Sequence, residues 1–370
     1  MTIGSLSGDL ATSRAAAGRS QRRRLGRFLI IGSTAAFILL ILAQVLQAAG
    51  VAQFGFPNWR PTLYGYVTWG VLLAIGQIMA RGEAGWRALF ILPAGMFVAA
   101  FAIFPTFAGL LIAMTDWNLS SSTGPRFNGL DNLIELFQDR FYWNALGNMV
   151  IYVLMVAVEY AIAFGLALLL NAEIRARKLW RVAFLIPLML SPVAVSWMVG
   201  KSMLETRFGP IARFAKSVGW QSPTFFADPW IARLSIEAMD AWVSIPFMMI
   251  LLLAGLQALP KEVSEAAKVD GATGWQGFWQ ITFPLMLPVS ITAIILRIIF
   301  KLKLADIVIN VTSGGPGGAT DTVSSFIYRE YRDRSNVGYG TMLAMFYLVL
   351  IIVFITALLN LFNKRMQRMS

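Results

Sequence analysis

The sequence contains no cysteine and no histidine in 370 residues. Without cysteine there are no disulfides and no thiolate chemistry; without histidine there are no imidazole metal sites and no histidine general base. Acidic residues are scarce as well, with 19 Asp and Glu against 31 Lys and Arg, and charged residues make up only 14% of the chain. No paired carboxylates stand outside the apolar spans, so a membrane-embedded enzyme is disfavoured and no catalytic residue is assigned. A complete GxxxxGK[ST] phosphate loop is also missing. Gly200-Lys201-Ser202 copies its last three positions, but Val195 stands where the first glycine belongs. The triplet is a chance match, and the chain carries no ATPase of its own. The net charge of +12 does not indicate nucleic acid, because the basic residues are dispersed among loops and form no stripe with interleaved aromatics.

What is present is apolar. Hydrophobic residues make up 57% of the chain and the mean hydropathy is +0.65, too high for a soluble domain of this length. Eight apolar spans fall at about 28–49, 63–79, 89–115, 146–170, 182–200, 236–258, 284–310 and 341–363. This predicts an all-α polytopic membrane protein of eight transmembrane helices, with the bilayer as its solvent. The first span, about 33 Å long if helical, is preceded by SQRRRLGRFL, which is faintly like a secretory signal. It is too long for a signal core and no A-x-A site follows, so retention is expected.

Loop charge sets the orientation. Residues 1–27 hold Arg14, Arg19, Arg22, Arg23, Arg24 and Arg27 against Asp9, which predicts a disordered cytoplasmic tail. Arg175, Arg177, Lys178 and Arg181 put the loop after the fourth span in the cytoplasm, and Lys364, Arg365 and Arg368 do the same for the C-terminal tail at 367–370. Both termini are therefore expected inside. Loop 201–234 falls outside despite Lys201, Arg207, Arg213, Lys216 and Arg233; long translocated loops tolerate such charge. Pro93 and Pro105 in the third span predict bends, and the fifth span contains Pro187 and Pro192. No internal repeat is visible.

A charge near mid-bilayer costs about 3 kcal/mol or more unless it meets a partner or water, and Glu159 and Arg297 both fall near the centres of their spans. They either pair or line a cavity. Asn148, Tyr152 and Glu159 share a helical face by spacing, as do Glu237, Asp240 and Ser244; Lys301 lies one turn beyond Arg297. Two readings stay open for these residues: a hydrated pathway for a hydroxyl-rich solute, or polar contacts that hold helices together. The stretch Ser313–Gly318, rich in glycine around Pro316, must turn tightly or lie against other backbone.

The polar segment between the sixth and seventh spans is the most informative. Pro260 is placed to open a helix, Glu262 and Glu265 sit near the positive end of its dipole, and Gly271 is placed to close it in a left-handed cap. A short helix of about ten residues follows. Lys261 and Lys268 are balanced by Glu262, Glu265 and Asp270, so attraction to lipid headgroups is weak and a protein groove is favoured. Ala266 and Ala267 leave a low face for docking, and Phe278, Trp279 and Ile281 provide an apolar continuation before Pro284.

The order Glu265-Ala266-Ala267, Asp270-Gly271-Ala272, Ile281 and Pro284 resembles the EAA motif of permease subunits in binding-protein-dependent ATP-binding-cassette importers. Trp242, Pro246-Phe247, AGLQALPKEV and TSGGPGGATDT resemble the carbohydrate branch, on the side of the larger maltose-permease-like subunit. The resemblance implies a six-helix importer permease core over 86–366, with two added N-terminal helices over 28–85 and a cytoplasmic coupling loop over 260–284 that seats in an ATPase groove. It further implies a bacterial inner-membrane location, a second homologous permease, an ATPase dimer that holds ATP and magnesium, and an extracytoplasmic solute-binding protein. No cofactor or metal is expected on this chain. A sugar, polyol or related hydroxylated solute would cross by alternating access. The competing expectation is an ion-coupled transporter or channel using Glu159, Arg297 and Asp306, which leaves the EAA-like segment without a role.

Overall fold

The computed structural model describes residues 3–48, 54–122 and 124–367, and among these it is helical with no β-strand. Seven helices are long and apolar enough to cross a membrane, or eight if one sharply bent pair counts as a single span. The chain divides into two compact units, Met1–Gly129 and Leu130–Ser370.

The first unit contains α1 (Ile3–Ala48), α2 (Arg60–Arg81) and α3 (Glu83–Ala113). Disorder expected over residues 1–27 is not what is found, since α1 runs without a break from Ile3 into the first span. The segment has no proline and is rich in alanine, leucine and arginine, all strong helix formers, so the span propagates its helix backward. Phe37 stacks on Trp69 at 5.1 Å between α1 and α2. Pro105 does not break α3; a wide π-turn over Ala99–Ile103 absorbs the missing N–H and the ring's clash with the preceding turn. Compaction groups α3 with the first two helices, whereas the boundary expected from sequence, at 85/86, would have joined it to the later ones.

The second unit begins with a short surface helix, α4 (Asp131–Gln138), and the long α5 (Arg140–Asn171), whose start is capped by the Asp139 carboxylate on the Phe141 and Tyr142 amides. The fifth span is broken into α6 (Arg177–Met189) and α7 (Pro192–Met203), bent by 94°. Pro192 forces Ser191 into an extended conformation, and the helix restarts on that serine as its cap. A short α8 (Pro210–Ser217) precedes α9 (Pro229–Ala258), capped by Asp228. Then come α10 (Lys261–Val269), α11 (Gly274–Lys301), α12 (Asp306–Val311), α13 (Val323–Arg332) and α14 (Val337–Gln367). The seventh span was expected to reach residue 310, but α11 ends at Lys301 and the chain breaks over 302–305 before α12. The tail at 368–370 lies outside the described residues.

Helices α5, α9 and α11 pack together around Phe164, Leu170, Met248, Leu252, Met286 and Ala293. A second apolar cluster, including Tyr152, Ile236, Met239, Leu304 and Val308, closes the opposite side of the same three-helix junction. Glu159, Asp240, Arg297 and Lys301 fall in sequence between these two clusters, and Glu237 falls among the residues of the second.

Candidate functional site

Glu159 on α5, Glu237 and Asp240 on α9, and Arg297 and Lys301 on α11 meet in one network. Arg297 donates through Nη2 to Glu159 Oε1 at 2.8 Å, through Nε to Glu159 Oε2, and through Nη2 to Asp240. Lys301 Nζ reaches Glu159 Oε1 at 2.7 Å, Glu237 Oε2 at 2.8 Å, and Asp240. Glu159 and Arg297 are each 2% exposed and Lys301 is fully buried, so these charges have no water to turn to and are stabilised by each other. The pairing of Glu159 with Arg297, open at the level of sequence, is present. Lys301 joins them because it lies one turn along from Arg297 on the same face. One carboxylate oxygen from each of Glu159, Glu237 and Asp240 comes within 4.8 Å of the other two, but Arg297 and Lys301 already bridge them.

The remaining pathway candidates divide. Tyr152 is buried one to two turns from Glu159, and its hydroxyl has no hydrogen-bond partner; Glu237 Oε1 is likewise buried and unpaired. Ser244 is half-buried and takes no part in the network. Asn148 belongs to a separate polar cluster. Its amide donates to the carbonyls of Gly318 at 2.9 Å and Asp321 at 3.0 Å, while its oxygen accepts from Arg233. Arg233 also donates to the Ala319 carbonyl at 2.7 Å, and Asn144 to that of Gly318.

The glycine-rich turn is therefore held down, not loose. Gly314 has φ +86° and a Cβ there would stand 2.7 Å from the Asp321 carboxylate, so the position requires glycine. Sequence reasoning missed Arg233 and Asn144 as clamps on this turn. Within the basic loop 201–234, Lys201, Lys216 and Arg233 each donate to a backbone carbonyl.

The segment between α9 and α11 follows its expected start and differs at its end. Pro260 immediately precedes α10, whose nine residues include Glu265, Ala266 and Ala267; Asp270 follows, and Gly271 takes φ +81°. Val269 is 86% exposed, and Glu265 and Ala266 are also exposed. After Ala272, Thr273 and Gln276 form a reciprocal capping box that starts α11. The span expected to begin at 284 begins earlier: Ile281 lies in a π-turn over Phe278–Thr282 that carries the helix from Gly274 through Pro284 into the membrane. The reason is the same as in α3, a widened turn upstream of proline.

The comparisons agree with this arrangement. Residues 161–368 match the family described as binding-protein-dependent transport system inner membrane component. The chain is 32% identical over 273 residues to the trehalose/maltose transport system permease protein MalF of Thermococcus litoralis, covering 74% of this chain and 92% of the relative. It is 29% identical to the sulfoquinovosyl glycerol transport system permease protein SmoG of Agrobacterium fabrum, over 71% of this chain and 86% of that protein. Among solved structures, a bacterial ABC transporter involved in alginate import aligns with a TM-score of 0.62 at 22% identity, covering 76% of this chain and 96% of that one. The matched region takes in α9, α10 and α11 whole, so the helix between spans and four of the five network charges lie inside it, and the chain belongs to the family of inner-membrane components of binding-protein-dependent transport systems.

Proposed function

We propose that this chain is one permease subunit of an ATP-driven importer for a sugar or related hydroxylated solute. The observation that carries the coupling role is α10: a nine-residue, exposed helix set between two membrane spans and closed by a left-handed glycine. A helix so placed transmits a push from outside the membrane into α9 and α11 at once. Glu265, Ala266, Ala267, Asp270, Gly271 and Ala272 would form the docking face and its turn, and Ile281 and Pro284 the link into α11. The ATPase would be a separate dimer that holds ATP and magnesium, with a second permease and a solute-binding protein completing the assembly. In this reading α10 and both termini face the cytoplasm.

The solute class draws on the relatives, whose names include maltose, trehalose and lactose permeases. Arg297 and Lys301 are each engaged by carboxylates, which favours an uncharged polyol over an anionic one. Asn148, Tyr152, Glu159, Glu237, Asp240, Ser244, Arg297 and Lys301 are proposed to face the pathway as the helices separate. The unpaired Tyr152 hydroxyl and Glu237 oxygen are the places where a solute hydroxyl would exchange hydrogen bonds.

The test is ATP-dependent sugar uptake by the reconstituted complex, measured with ATPase association, before and after replacing Glu265 and Gly271 together. Loss of both with membrane insertion intact supports the coupling role. Unchanged uptake sinks it and returns the network to consideration as an ion-coupling site.

A further inference from the structure

Within the first unit, α1, α2 and α3 enclose a cleft of about 590 Å³ whose wall is almost wholly apolar and aromatic. Trp59, Thr62, Tyr66 and Trp69 supply one side from α2 and the residue before it, Phe37 the second, and Ala100 with Phe104 the third. Two features show that the space is built into the fold. The π-turn over Ala99–Ile103 widens α3 where two alanines line the cleft, and Trp59 packs edge-on against Phe104 at 5.7 Å across its mouth. The Thr62 hydroxyl in the wall is buried without a partner.

Depth identifies what fits. From Trp59 to Trp69 is ten residues, or about 15 Å of helix rise, which is half of a hydrocarbon core of about 30 Å. The cleft therefore runs from one membrane interface to the bilayer centre, the span of one leaflet. An aqueous ligand has no favourable route into such a site, whereas a hydrocarbon chain is already there. Arg60 is exposed at the interfacial end, one residue from Trp59, where a lipid phosphate lies.

We propose that this cleft holds one acyl chain of a glycerophospholipid, with the phosphate of the same lipid on Arg60. The ester carbonyl of such a lipid lies at the depth of Thr62 and would accept from its hydroxyl.

The experiment uses the full-length chain in phospholipid nanodiscs containing phosphatidylglycerol with a diazirine in one acyl chain. After photolysis, labelled peptides are mapped. Labelling concentrated in 59–69 and 99–107 is expected, above the level at the lipid-facing residues Phe90 and Ile91, which are 84% and 71% exposed. Ala100→Phe fills the cleft; displacing even two methylenes corresponds to about a tenfold loss of labelling. Ala94→Phe, on the exposed surface of the same helix, should change nothing. Uniform labelling of all lipid-facing surfaces overturns the proposal, and so does labelling that survives Ala100→Phe. If that variant does not fold, the map from the unaltered chain decides alone. Labelling indifferent to Arg60→Gln overturns the headgroup assignment.

Discussion

Lys301 and Asp240 touch each other in the buried network, yet removing them has opposite consequences for its charge. Three carboxylates face two cations, a surplus of one negative charge when all are ionised. Lys301→Met raises that surplus to two, in a site largely shut off from solvent, and should cost about 3–5 kcal/mol. Asp240→Asn balances the network and should cost on the order of 1 kcal/mol. Unfolding midpoints of the purified variants in mixed detergent micelles would rank them, and equal losses would show that packing, not charge, sets the stability of the junction. A second residue gives a pH signature. Burial pushes the Glu330 carboxyl above its usual range despite the nearby Arg334. A raised carboxyl pKa means that its contribution to stability is fully present below the unfolded value of about 4.3 and is lost as pH rises through the folded pKa. Thermal scans from mildly acidic to alkaline pH should therefore show Glu330→Gln gaining on the parent as pH rises, and a constant gap would refute this. At this scale the sequence was partly legible. Depth and spacing singled out all five network residues, but the link from Lys301 to three acids on two helices depends on how those helices face one another.

Among the elements, α10 was the most readable, because proline, glycine and a change from apolar to polar sequence all act locally, whereas the start of α11, expected at 284, lies ten residues earlier at Gly274. The Thr273–Gln276 capping box is a local signal too, and it fixes where α11 begins. Thr273→Ala should cost about 1 kcal/mol of cap stability and fray the first turn without disturbing the span. Amide exchange should then accelerate over residues 273–277 and stay unchanged from Met286 onward; acceleration through Met286 would mean that the cap supports the whole helix. Proline was harder to read. Pro105 was expected to bend its span, yet it follows a π-turn that keeps the helix continuous, as Pro284 does, while Pro192 breaks the fifth span through 94°. The difference lies in what stands before the ring. At Pro192 the preceding Leu190 and Ser191 are extended, and the serine hydroxyl is available to restart the helix. At Pro105 and Pro284 only apolar residues and a threonine inside an established helix precede it. A widened turn there keeps most backbone groups paired, which the membrane demands.

For the whole molecule, orientation is the property on which the proposed coupling depends, and it was read from loop charge alone. The rule gave an awkward answer for loop 201–234, where basic residues accumulate on the side assigned as external. The structure supplies a reason for them that is independent of topology, since Lys201, Lys216 and Arg233 are used as donors to carbonyls within the second unit. Their charge is therefore weak evidence for a cytoplasmic position. Arg175, between α5 and α6, and Arg177 and Lys178 in the first turn of α6 bear more heavily on the assignment. The absence of cysteine makes this directly testable, because a single introduced thiol is the only reactive one in the chain. Val218 follows α8 and Val269 ends α10, and both side chains are well exposed, at 67% and 86%. In right-side-out vesicles a membrane-impermeant maleimide should label Val218→Cys at once and Val269→Cys only after permeabilisation. The reverse pattern would place α10 outside, beyond reach of any cytoplasmic ATPase, and the importer reading of this chain would have to be abandoned even though its fold and family stand.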